Sequence, residues 1–191
     1  MARFTAGSER QTAEPATIVA DADDWQDFAN TQFNMQTLDT SRPVILLGGR
    51  ENSLAVTRNL GRCGIPVYVS GKGGCQALQS RHCERAFPVD RGEAADQFWH
   101  RLLLGNPPPE FQDAIVIAMC DESLEFLATH YAALCQSYTL PPFVPELCMA
   151  MLDKRETLIR ARAAGVPTPN FWLVDTAEEL SAIRDHLNMP V

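Results

Sequence analysis

Long apolar runs are missing from this chain. Nothing in it approaches the roughly 18 to 20 consecutive apolar residues of a membrane-crossing helix, and its acidic start lacks the basic-then-apolar order of a signal peptide. No membrane partner is expected, and a cytoplasmic location is. Positive charge is scarce as well: 16 Lys and Arg stand against 24 Asp and Glu, a formal net charge of -8. That balance argues against a nucleic-acid backbone as the main partner and leaves room only for local anion sites. Cysteine pairs at metal-binding spacing are absent too. The six cysteines, at positions 63, 75, 83, 120, 135 and 148, form no C-x-x-C and stand at no zinc-like distance from a histidine. They are read as reduced core residues, and no metal ligand is assigned. His82, His100, His130 and His186 are scattered without an evident nucleophile beside them, so no catalytic residue is assigned either.

What is present begins at Pro43. Residues 43–71, PVILLGGRENSLAVTRNLGRCGIPVYVSG, read as strand, glycine turn, helix and second strand. Residues 44–47 are a short unbroken apolar run, as in a strand covered on both faces. Val56, Leu60 and Cys63 fall at helical spacing, Gly64 stands where a left-handed cap is expected, and Pro66 stops the helix. Residues 67–69 are the next strand, and the connection has the length of a right-handed crossover. Gly48, Gly49, Arg50, Glu51, Asn52 and Ser53 form a candidate binding loop, because ligands of open α/β sheets lie beyond the carboxyl ends of strands. The loop is no dinucleotide fingerprint: a third glycine is missing, and Ser70-Gly71 stands where a ribose-binding acid belongs. The two glycines can equally serve only to make a tight turn.

The other elements follow in order. Residues 1–40 are poor in apolar side chains and rich in Asp, with Trp25, Phe28 and Ala29 spaced for one short docking helix. Residues 72–85 are expected as a surface loop whose Arg81 and Arg85 can meet an anion, and residues 86–89 as an outer strand. Ala94, Phe98 and Leu102 mark the inner face of a helix. Residues 114–120, AIVIAMC, are the most strand-like run and are expected at the centre of the sheet. Asp121 then reads as an N-cap and Glu122 as a first-turn acid, at a strand end where a ligand role is also open. Leu124, Leu127, Ala128, Tyr131 and Cys135 give one helical stripe. Residues 139–144, broken by proline, allow only a short edge strand or a linker. The sum is an α/β fold, a Rossmann-like parallel sheet with helices on both faces.

Around residue 149 the organisation changes. Residues 151–175 read MLDKRETLIRARAAGVPTPNFWLVD, with Asp153 and Glu156 spaced as a capping box and Gly165 and Pro167 ending the helix. Lys154 and Arg155 fall in the first turn, where the helix dipole disfavours cations and a bound phosphate would favour them. Residues 171–174 read as a strand. Thr176 with Glu179 reads as a second capping box, with Leu180, Ile183 and Leu187 lining the helix after it, and residues 189–191 look like the entry to a further strand.

The succession PVILLGGRENSLAVTRNLGRCGIPVYV, SRHCERAFPV, AIVIAMCDESLEFL and LDKRETLIRARAAGVPTPNFWLV resembles the N-terminal part of an ATP-grasp carboxylate–amine ligase, akin to the carbamoyl-phosphate synthetase large chain. The resemblance runs from Pro43 to Val191, and its most specific piece is the Asp-Lys helix followed by Ala-Gly-Val-Pro-Thr-Pro. It implies an N-terminal extension over 1–40, a pre-ATP-grasp domain over 41–148 and the start of an incomplete ATP-grasp domain over 149–191. It further implies that Lys154 reaches the phosphates of ATP, and that Gly48, Gly49, Arg50 and Glu51 face a substrate. The cofactors would be ATP and Mg2+, with the magnesium ligands and a second phosphate-binding lysine beyond Val191. The partners would be a small-molecule carboxylate, an amine and a second copy of the chain, and residues 1–191 alone would be inactive. Two other classes stay open: a stand-alone Rossmann-like module that binds a small ligand or a protein, and a nucleotide-dependent oxidoreductase or transferase.

Overall fold

The computed structural model describes residues 39–184. The expected docking helix around Trp25, the position of Leu187 and the strand entry at 189–191 lie outside them. Among the described residues four parallel strands form the sheet: β1 Val44–Leu47, β2 Val67–Gly71, β3 Arg85–Pro88 and β4 Ile115–Ala118, in the order β3-β2-β1-β4. Val44 stands opposite Val67 on one side and Ile115 on the other, and Tyr68 stands opposite Arg85. Every residue of β1 and β2 is buried, as the unbroken apolar run of β1 requires.

Alternation along β1 divides its side chains between two cores. Val44 and Leu46 join Val67, Val69, Cys75 and Ala77 on one face, under helix α1, Glu51–Arg62. Ile45 and Leu47 join Tyr68, Trp99, Phe111, Phe126 and Leu127 on the other. That second face is covered by α2, Ala95–His100, which runs on as a π turn over Arg101–Gly105, and by α3, Asp121–Thr129, followed by the single turn α4, Tyr131–Leu134. Each fully buried Leu, Ile or Phe there contributes about 1.5–3 kcal/mol relative to exposure. Helix α5, Pro145–Leu152, packs on α3 and carries α6, Lys154–Ala163; α7, Ala177–Ile183, is the last helix among the described residues.

Several expectations are corrected. β4 stands at one edge of the sheet and β3 at the other, with β1 and β2 in the centre; among the described residues one parallel bridge, Ile115 to Thr139, lies beyond β4. The buried face of α2 lies one residue later than expected, at Ala95, Trp99 and Leu103, because Ala94 is an extended cap that precedes the helix. In α1 the fully buried positions are Ser53 and Thr57, while Leu54, Val56 and Leu60 only flank the core. The stripe after β4 is interrupted at His130, and Cys135 is exposed rather than core. Residues 72–85 are more than a surface loop, since Gln76–Gln79 makes a 3-10 turn that buries Ala77 beside Cys75. Residues 171–174 form no strand. Helix α5 was not anticipated; Pro145 sits in its first turn, where a missing N–H is harmless.

Candidate functional site

In a parallel sheet all carboxyl ends open on one side, and here Leu47, Gly71 and Ala118 deliver three loops to the same place. The loops enclose a cavity of about 500 Å³ lined by residues 48–50, 52, 72, 73, 75, 99, 119, 120 and 122. A second hollow of about 540 Å³, lined in part by Arg42, Asp113 and Thr139, lies where β1 and β4 begin. The first is the candidate site, because strand carboxyl ends are where ligands meet free loop backbone. In the second hollow Arg42 is already committed, donating to the Asp113 carbonyl at 2.7 Å and to Thr139 Oγ1 at 2.5 Å.

The glycine turn is built from its neighbours' crowding. Gly48 has φ 73° and Gly49 φ 79°, in the left-handed region. A Cβ on Gly48 would stand 2.5 Å from Cys120 Sγ, and one on Gly49 would stand 2.2 Å from Ser53 Oγ. Sterics therefore account for both glycines. Ser53 Oγ donates to the Gly48 carbonyl at 2.5 Å, the hidden polar contact that explains why a serine faces the sheet. Asn52 ties the turn to the neighbouring strand: its Oδ1 accepts from Arg50 N at 2.9 Å and its Nδ2 donates to the Met119 carbonyl at 2.5 Å. Trp99 forms the floor, its indole Nε1 donating to Ser70 Oγ at 3.0 Å.

Charge at the cavity comes from three side chains. Lys72 Nζ, from the loop after β2, meets Glu122 Oε1, in the first turn of α3, at 2.7 Å. Arg50 has no side-chain partner among the described residues. Of the expected substrate residues, Gly48, Gly49 and Arg50 line the cavity; Glu51 is exposed and is not among its lining residues. Sequence reasoning singled out neither Lys72 nor Trp99. Lys72 follows the carboxyl end of β2 directly, so the strand-end rule could have found it. Asp121 is not the N-cap. Cys120 occupies that position and Ser123 completes a capping box, its Oγ accepting from Cys120 N at 3.1 Å.

Lys154 lies outside this cavity, exposed at the start of α6. The Asp153 carboxylate caps that helix, accepting from Arg155 N at 2.8 Å and Glu156 N at 3.2 Å. Its negative charge already offsets the cations of the first turn, so their placement requires no bound phosphate. Glu156 turns to Arg160 at 2.7 Å rather than back to the cap. Thr176 and Glu179 do form the expected box, Glu179 N donating to Thr176 Oγ1 at 3.2 Å. Arg85 pairs with Glu110 and stacks 5.0 Å over Phe87, so it is not a free anion receptor. All six cysteines are unpaired, and burial pushes the Cys83 thiol up from its ordinary value, which fits an inert core thiol. Among the described residues no group of three His, Cys, Asp or Glu side chains is arranged to hold a metal ion, and no helix is long and apolar enough to cross a membrane.

The sheet and its crossovers make an α/β fold that matches the N-terminal domain of ATP-grasp enzymes. The individual likenesses are to longer chains. The ADP complex of an N5-carboxyaminoimidazole ribonucleotide synthetase is similar with a TM-score of 0.58 at 15% identity, over 80% of this chain and 37% of that one. The corresponding synthetase of Staphylococcus aureus, also with ADP, gives 0.52 at 14% over 77% and 36%. An L-amino acid ligase of Bacillus licheniformis gives 0.52 at 19% over 75% and 34%. The chain thus spans little more than a third of the length of the solved structures it matches, and identities this low carry the fold and not the activity. No protein-family model and no curated protein sequence matches the chain.

Proposed function

We propose that these residues are the N-terminal portion of an ATP-dependent ligase that activates a carboxylate as an acylphosphate and joins it to an amine. The observation that carries this reading is the fold match with ATP-grasp structures, two of which hold ADP. A second feature supports it. Every exposed large apolar side chain among the described residues falls between Val144 and Leu180, including Met151 at 66% exposure, Val166 at 55% and Leu147 at 52%. Apolar surface gathered at one end of a chain calls for a cover, and the remainder of an ATP-grasp fold would supply it. In this reading residues 1–40 are an extension, 41–148 the pre-ATP-grasp domain and 149–191 the start of the ATP-grasp domain.

Lys154 then contributes its ammonium group to the nucleotide phosphates from outside the helix start, whose Arg155 and Glu156 N–H groups Asp153 has taken. Arg50 and the glycine turn contribute to holding a substrate. The described residues offer no magnesium cage, so the metal, which in such a ligase neutralises the transferring phosphoryl group, would be held by other parts of the protein. The protein would act in the cytoplasm, pairing as a homodimer. The complete gene product should release ADP and phosphate only when ATP, Mg2+, a carboxylate and an amine are all present. The 191-residue chain should release none. ATP-dependent amide formation by the 191-residue chain alone, or ADP release by the complete product without any carboxylate, would overturn the proposal.

A further inference from the structure

We infer that the strand-end cavity recognises a small molecule carrying a protonated amine together with enough acidic groups to leave it net negative, such as an acidic amino acid or an amine bearing a phosphomonoester. The inference rests on reading the cavity as a substrate site of the proposed ligase, and it names the substrate class. Three charged side chains line the cavity: Arg50, Lys72 and Glu122. Two are positive and one negative, a surplus of one positive charge in a chain whose overall charge is -8. A ligand complementary to that set presents acid to Arg50 and Lys72 and an ammonium group to Glu122.

The frame is rigid where recognition needs rigidity and open where it needs access. Asn52 fixes the turn that carries Arg50 to the strand that leads to Glu122, through Arg50 N and the Met119 carbonyl. Trp99, held by Ser70, gives an apolar floor, and Gly73, with open space where a Cβ would stand, leaves backbone bare at the wall. The Lys72 and Glu122 side chains keep 52% and 46% of their surface exposed, so water and ligand can reach both. An ion pair this exposed is worth no more than about a fivefold change in an equilibrium constant. A ligand that offers Lys72 an acid and Glu122 an amine replaces their mutual contact with one for each, and it also engages Arg50. A purely anionic ligand leaves Glu122 facing added negative charge. A simple amine leaves Arg50 without a partner.

Calorimetric titration of the 191-residue chain tests this with aspartate, O-phosphoethanolamine, succinate and propylamine as probes. Aspartate or O-phosphoethanolamine should bind, and which of the two binds more tightly tells a carboxylate source from a phosphate source. Succinate and propylamine should bind at least about tenfold more weakly, the usual scale for loss of one charge-assisted contact. Glu122→Gln should abolish the preference for the amine-bearing probe over succinate, and Arg50→Met should weaken every anionic probe about tenfold. Far-ultraviolet circular dichroism confirms that each variant is folded. Protection of Cys120, at the cavity wall, from alkylation by the bound probe gives a second readout that does not depend on heat. The inference is overturned if succinate binds as well as the amine-bearing probes, if Glu122→Gln keeps the preference, or if neither amine-bearing probe binds at millimolar concentration. Ligase activity of the complete gene product with no probe binding would sink this inference alone, and probe binding with no ATP-dependent turnover would sink the ligase reading alone.

Discussion

Gly48 occupies a left-handed backbone position with Cys120 Sγ where its side chain would be. Two costs add there, backbone strain and overpacking, so Gly48→Ala should lower the unfolding free energy by about 2–4 kcal/mol. Gly64 has φ 79° but open space around it, so Gly64→Ala should cost only about 1 kcal/mol. Urea denaturation of both variants checks the difference, and equal losses would mean that Cys120 does not crowd the turn. That the glycines open a loop after a strand was legible from residue order. That Cys120, 72 residues later, presses on the first of them was not, because crowding depends on how β4 pairs with β1. His130 shows the same limit. In the sequence it is one of four scattered histidines; in the fold its ring lies 4.9 Å from Phe126 and 5.2 Å from His100. Burial, then the His100 charge, hold its pKa below the ordinary value, with Asp96 opposing. The folded state therefore takes up this proton less readily than the unfolded one, so stability is full above about pH 6.5 and falls as the pH drops below it. Thermal melts across pH 5 to 8 should show that slope, and His130→Gln should flatten it.

Among the elements, α6 forms only half of its expected capping box, since Glu156 turns to Arg160 instead of back to the cap. Asp153 caps it as its spacing announced, because capping is a contact between residues two and three apart and needs no knowledge of the tertiary fold. Asp153→Ala should cost about 1 kcal/mol of stability in α6, read as faster amide exchange across that helix. Lys154→Ala should leave exchange there unchanged, since its side chain has no partner among the described residues, and should weaken ATP binding by the complete gene product. Elements whose boundaries depend on long-range packing were read less well. The expected inner face of α2, at Ala94, Phe98 and Leu102, lies one residue early, because nothing local marks Ala94 as the extended residue before the helix rather than part of its first turn. Apolar content alone points β4 to the centre of the sheet. Its outer edge is covered by Thr139 through a single bridge and its faces by helices, so a strand can be apolar throughout and still stand last among four.

At the scale of the whole molecule, burial is uneven. β1 and β2 are wholly buried, whereas α6 and α7 contain no buried residue. Native-state hydrogen exchange of the 191-residue chain should therefore open α6 and α7 at much lower free energy than the sheet. Uniform protection across both would contradict that division. The parallel α/β architecture was readable from the alternation of apolar runs and helical stripes, since each crossover is a local unit. The strand-end cavity was readable only in part, because its other charges, Lys72 and Glu122, stand 22 and 72 residues beyond Arg50 and are brought to it by parallel pairing. The most direct test of the ligase proposal is to supply the complete gene product with ATP, Mg2+, an amine and a carboxylate labelled with oxygen-18. Passage through an acylphosphate predicts one labelled oxygen in each phosphate released; unlabelled phosphate, or release of pyrophosphate in place of ADP and phosphate, would contradict it.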